Sequence, residues 1–114
     1  MDKEQLETFK TQLSLAIEAH LANGGKLISG SFGYGKCLCP IACLVNEPEL
    51  PTKFEMAFSR KYEKAVSEKL GFEVSANDMW DFIGAFDDED KLTINEVMVI
   101  GIELRKKYLT KTNE

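Results

Sequence analysis

Apolar residues recur at intervals of three and four through most of this chain, and no other feature constrains its fold as much. That period lays one apolar stripe along an α-helix, whereas a strand alternates its faces every second residue. Leu6, Phe9, Leu13, Ile17 and Leu21, with Ala16 beside them, predict a first helix over residues 3–23. Asp2 suits its N-cap, Glu4 and Glu7 suit the positive end of its dipole, and Asn23-Gly24-Gly25 suits its left-handed end. Phe54, Ala57, Phe58, Tyr62, Ala65, Val66 and Leu70 predict a second long helix over 52–70, with Thr52 and Glu55 at capping-box spacing and Gly71 as its stop. Ser75 opens a third, dense in Met79, Trp80, Phe82, Ile83 and Phe86, which read as core rather than as a partner surface. Asp87-Asp88-Glu89-Asp90 follows as a solvated acidic turn. Thr93 and Glu96 repeat the capping-box spacing before a last helix. There Val97, Ile100, Gly101, Leu104 and Tyr108 share a face, and Arg105, Lys106 and Lys107 suit the negative end of the dipole.

The expected fold class is therefore all-α: a single-domain bundle of about four main helices over residues 1–114, with 109–114 as a frayed tail. A chain of 114 residues fits one domain, and 44% hydrophobic residues exclude wholesale disorder. No apolar run approaches the roughly 20 residues of a membrane span. The opening MDKEQLETF is charged and amphipathic, unlike a signal peptide. A net charge of −5 argues against sequence-independent nucleic-acid binding.

Between the first two long helices the pattern changes. Gly25, Gly30, Gly33 and Gly35 alternate with Leu27, Ile28, Phe32 and Tyr34, which allows minor extended pairing around 26–34. Cys39-Pro40 reads as the start of a short buried helix with Ile41, Ala42, Leu44 and Val45, because proline is tolerated at a first helical position. The three cysteines, Cys37, Cys39 and Cys43, fall in this one segment. An odd, tightly clustered set without a signal peptide reads as free thiols in a reducing cytoplasm.

Four chemistries compete with a purely structural reading. Gly30 to Lys36 fits the G-x4-G-K of a phosphate-binding loop, but Cys37 stands where a hydroxyl should hold Mg²⁺, and no long buried strand leads in. Cys37, Cys39 and Cys43 with His20, the single histidine, offer a Cys3His ligand set for zinc. Cys39 at a helix N-cap is placed for a lowered thiol pKa, which a reactive thiol would use. The acidic turn fits a calcium loop poorly: counting from Asp87, Leu92 falls on the required glycine and Met98 on the required glutamate.

The expected function is that of a small soluble, non-catalytic cytoplasmic protein acting by protein–protein contact, without a cofactor and without nucleic-acid or membrane partners. Met98, Val99 and Ile102 widen the apolar arc of the last helix, which suits a homodimer interface. The alternative is a cysteine-dependent site, structural zinc or reactive thiol, at Cys37, Cys39 and Cys43 with His20.

The stretch Gly35-Lys36-Cys37-Leu38-Cys39-Pro40-Ile41-Ala42 resembles a Cys-Pro turn of small uncharacterised bacterial and phage proteins. In those a glycine-rich segment leads into Cys-Pro-Leu-Gly and a later helix ends in Gly-Phe-Asp. Here Ala42 replaces that glycine, and the later element is Gly84-Ala85-Phe86-Asp87, with Ala85 inserted. The resemblance spans about half the chain and implies a compact helical fold, with no activity, substrate or cofactor attached.

Overall fold

The structure, a computed structural model, describes residues 1–28, 33–34, 37–45, 56–87 and 94–109, with the backbone alone described at 33, 34, 37 and 56–61. Among these residues run α1 (Lys3–Ala22), β1 (Lys26–Leu27), β2 (Gly33–Tyr34), β3 (Cys37–Leu38), α2 (Pro40–Val45), α3 (Met56–Leu70), α4 (Ala76–Phe86) and α5 (Glu96–Tyr108). The fold is all-α, with a radius of gyration of 13.0 Å, as expected for about 100 compact residues.

The start of α1 is a reciprocal capping box, with Asp2 Oδ1 accepting from the Gln5 amide at 2.8 Å and Gln5 Oε1 accepting from the Asp2 amide at 3.1 Å. Its end is a Schellman motif. Gly24 takes the left-handed backbone at φ 85°, the Gly25 amide donates to His20 O, and the Gly24 amide donates to Leu21 O. Phe9, Leu13 and Ile17 are fully buried, but Leu21 is 36% exposed and leaves the expected stripe. Each step of four residues overshoots a full turn by about 40°, so by Leu21 the row has rotated off the core.

The glycine-rich region contributes a three-stranded sheet in the order β1-β3-β2, with β1 parallel and β2 antiparallel to β3. Its strands are two residues long, so it serves as a clip rather than a layer. The central strand, Cys37–Leu38, lies beyond the 26–34 stretch expected to pair.

The expected Thr52 cap and the residues Phe54 and Glu55 lie outside the described residues. Further along α3, Tyr62, Val66 and Leu70 are buried as the periodicity requires. Gly71 stops the helix at φ 82°, with its amide donating to Ser67 O. Ser67 also clamps the turn: its hydroxyl donates to Glu63 O at 2.8 Å and accepts from the Val74 amide at 2.9 Å.

Ser75 caps α4 by accepting from the Asp78 amide at 3.1 Å. The start of α5 corrects the sequence expectation. The cap is Asn95, which accepts from the Met98 amide and donates to Asp81 Oδ2, both at 2.9 Å. The bond to Asp81 of α4 anchors Asn95 from outside its own helix, a cause that local spacing does not show, and Thr93 lies outside the described residues. Leu109 is the C-cap of α5 and packs against the core, so the frayed tail does not begin there; residues 110–114 lie outside the described residues.

The core is shared by all five helices, and Phe9 of α1 meets Phe82 of α4 there. Helices α4 and α5 approach closely at Gly101. A Cβ built there would lie 2.8 Å from Phe82 O, 3.0 Å from Ala85 Cβ and 3.1 Å from Phe86 N. Arg105 then donates to Phe86 O at 2.7 Å, satisfying a carbonyl at the C-terminus of α4. On the surface Lys10 meets Glu103 at 2.6 Å between α1 and α5, an exposed pair that contributes about 0–1 kcal/mol.

Candidate functional site

The cysteine segment turns on α2, all six residues of which are buried. Cys39 immediately precedes Pro40 and acts as a cap: the Ala42 amide donates to its Sγ at 3.5 Å. The proline suits this place because a first-turn amide has no intrahelical acceptor. The lowered Cys39 pKa expected from this position is not found. Burial, at 3% exposure, pushes the thiol up to about 12, and the amides of Ala42 and Ile41 pull the other way too weakly to offset it. Burial likewise lifts Cys43, 7% exposed, to about 12. Tyr62 is raised to about 12, first by burial and then by the neighbouring Cys39.

Of the candidate ligands, Cys43 and His20 come to one cavity, while Cys39 lies in the core. Cys39 belongs to the core cluster with Tyr62, whereas Cys43 lines a cavity of about 240 Å³ with Ala16, Ala19, His20, Asn23 and Leu38. The Cys43 amide donates to Cys39 O at 2.9 Å, so Cys39 closes the first turn of α2 with Cys43 four residues on. The Cys37 backbone sits on β3 opposite Lys26 and Tyr34, and its side chain lies outside the described residues. Among the described residues no three His, Cys, Asp or Glu side chains gather as metal ligands.

His20 itself has a structural task. Its Nε2 donates to Lys26 O at 3.0 Å, which fixes a proton on that nitrogen, because a carbonyl only accepts. A Cβ at Gly25 would overlap the ring. The glycine pair therefore does two jobs: Gly24 supplies the left-handed backbone, and Gly25 lets the imidazole close over the start of β1.

The phosphate-loop match ends in the wrong element. Cys37–Leu38, directly after Lys36, is a strand, whereas phosphate binding there needs a helix N-terminus directing its amides at the anion. Residues 29–32 and 35–36 lie outside the described residues, as do 88–90 of the acidic turn.

Surface chemistry concentrates instead on α5. Of the residues that widened its apolar arc, Met98 is buried, Ile102 is half-buried and Val99 is 43% exposed. Ile94, just before the cap, is 58% exposed. Ile94 and Val99 occupy the N′ and N4 positions of a hydrophobic staple, the one sequence signal that links them. Leu15 of α1 is 54% exposed.

No protein-family model, curated protein or solved structure matches the chain. Among the described residues no helix is long and apolar enough to cross a membrane.

Both described thiols are expected to be unreactive in the folded state. Their folded pKa lies above the unfolded one, so the unfolded chain releases protons first as pH rises. This stabilisation is complete below the ordinary thiol value, about 8.5, and is lost as pH climbs towards about 12. Urea melts are expected to show stability falling above that ordinary value, with a shallower fall in a Cys39→Ala/Cys43→Ala variant. Rapid labelling of Cys39 or Cys43 by a disulfide reagent in native buffer would refute the assignment.

Proposed function

We propose that this chain acts without catalysis, through protein–protein contact at the outer face of α5. The observation that carries the reading is the joint exposure of Val99, on a helix whose opposite face is locked against α4, and of Ile94 just before its cap. Water-facing aliphatic groups gain by burial at about 25 cal/mol per Å², and a strip bordered by Glu96, Glu103 and Asn95 has the polar rim of a contact surface. A protein partner is favoured over nucleic acid by the net charge of −5. Two free, buried thiols support residence in a reducing compartment such as the cytoplasm. The cysteine-dependent alternative draws less support, because burial holds Cys39 and Cys43 protonated.

Site-directed photo-cross-linking tests the reading. In cells expressing the full chain, a photoreactive residue at position 99 is expected to form protein adducts that the same residue at Glu18, exposed on α1, does not. Equal labelling from both positions, or none from position 99, overturns it.

A further inference from the structure

We propose that the partner for this face is a second copy of the chain, paired antiparallel through α5 about a two-fold axis between Val99 and Ile102. The proposal rests on the contact reading above and names its partner. A two-fold interface uses the same patch twice, so the patch must complement itself.

The outer face of α5 meets that requirement in two ways. Val99 and Ile102 are three residues apart and so lie side by side, about 60° apart around the helix. Antiparallel alignment centred between them sets Val99 against Ile102 of the partner subunit, and the reverse, covering all four aliphatic groups. The second feature is charge. Glu96 lies in the first turn and Lys107 in the last, and both are exposed. Eleven residues, or three turns, separate them, which puts both within about 20° of one flank.

Reversing the helix direction in the second copy brings Glu96 within about 3 Å along the axis, two residues, of Lys107 of the partner subunit, within reach of two long side chains, and the two-fold axis repeats the pair. A parallel two-fold pairing would instead put Glu96 and Lys107 of one copy on the opposite side of the seam from those of the other, so no such pair forms. The antiparallel arrangement also opposes the two helix dipoles, with acidic first turn beside basic last turn. Charge order along α5 therefore selects both the occupant and its orientation.

Sedimentation equilibrium of the full chain from micromolar to millimolar concentration tests this. A reversible monomer–dimer equilibrium is expected, and Val99→Asp is expected to raise its dissociation constant at least tenfold. Glu96→Lys and Lys107→Glu are each expected to weaken the dimer, and the double exchange E96K/K107E to restore it, because opposite charges again face each other. Melting temperatures of all variants, followed alongside, separate lost association from lost folding. A monomer at every concentration, a dimer indifferent to Val99→Asp, or a double exchange that fails to rescue would overturn the proposal. A monomeric chain that still forms position-99 adducts with a different protein removes the second copy and leaves the contact reading standing. A monomer without such adducts removes both.

Discussion

Phe82→Ala is expected to cost about 3–5 kcal/mol, the usual range for emptying a buried phenylalanine site. The Phe82 ring is fully buried at the junction of α1 and α4. It meets Phe9 edge-to-face, with centroids 5.3 Å apart and planes at 83°, and stacks beside Phe86 at 6.2 Å and 19°. Truncation removes the ring from both contacts at once. Aromatic pairs of this geometry add about 0.5–1.5 kcal/mol beyond burial. Neither neighbour can collapse freely into the space, because Phe9 and Phe86 are themselves held in the core. Small domains have about 5–15 kcal/mol in total, so the variant is expected to be largely or wholly unfolded at physiological temperature. Urea unfolding followed by circular dichroism measures the loss. A loss under about 1 kcal/mol would show that Phe82 is not at the centre of the core.

Gly101→Val is the second large effect, and its cause is the opposite of a cavity. The added carbons enter a space already bounded by the Phe82 carbonyl at 2.8 Å and the Phe86 amide at 3.1 Å. These are backbone atoms of a helix, so they do not swing aside as a side chain would. Overpacking costs about 1–3 kcal/mol, while leaving glycine returns at most about 1 kcal/mol of helix propensity. Helices α4 and α5 must separate, which also strains the Arg105 bond to Phe86 O. Gly101→Ala sharpens the test, since on an open helix face it would stabilise. Here alanine is expected to be neutral to destabilising and valine clearly worse. A more stable alanine variant would refute the close approach.

Much of the fold was legible because its signals are local. Asp2, Ser75, Gly24 and Gly71 cap or stop helices at their expected places, each through groups only a few residues away. The buried face of α5 follows from spacing alone, since Val97, Ile100, Leu104 and Tyr108 repeat at three and four. Other features were hidden because their causes lie elsewhere in the chain. Asn95 starts α5 with help from Asp81, fourteen residues earlier. The pairing at 26–27 and 33–34 lies within the stretch whose alternation allowed it, but their shared partner Leu38 lies beyond that stretch. Arg105 reads as a dipole residue, but its guanidinium donates to the end of α4.

The candidate site divides along the same line. Spacing and turn chemistry established that Cys39-Pro40 begins a helix and that the thiols cluster in one short segment, because both depend on neighbouring residues alone. Helix packing decided what those thiols became. Enclosing α2 on every side strips water from Cys39, and the loss of hydration outweighs the two amides that favour a thiolate. Packing likewise turned Met98 inward and left Val99 and Ile94 facing water. Local order is written in residue types three and four apart, whereas burial depends on which helix arrives from far along the chain.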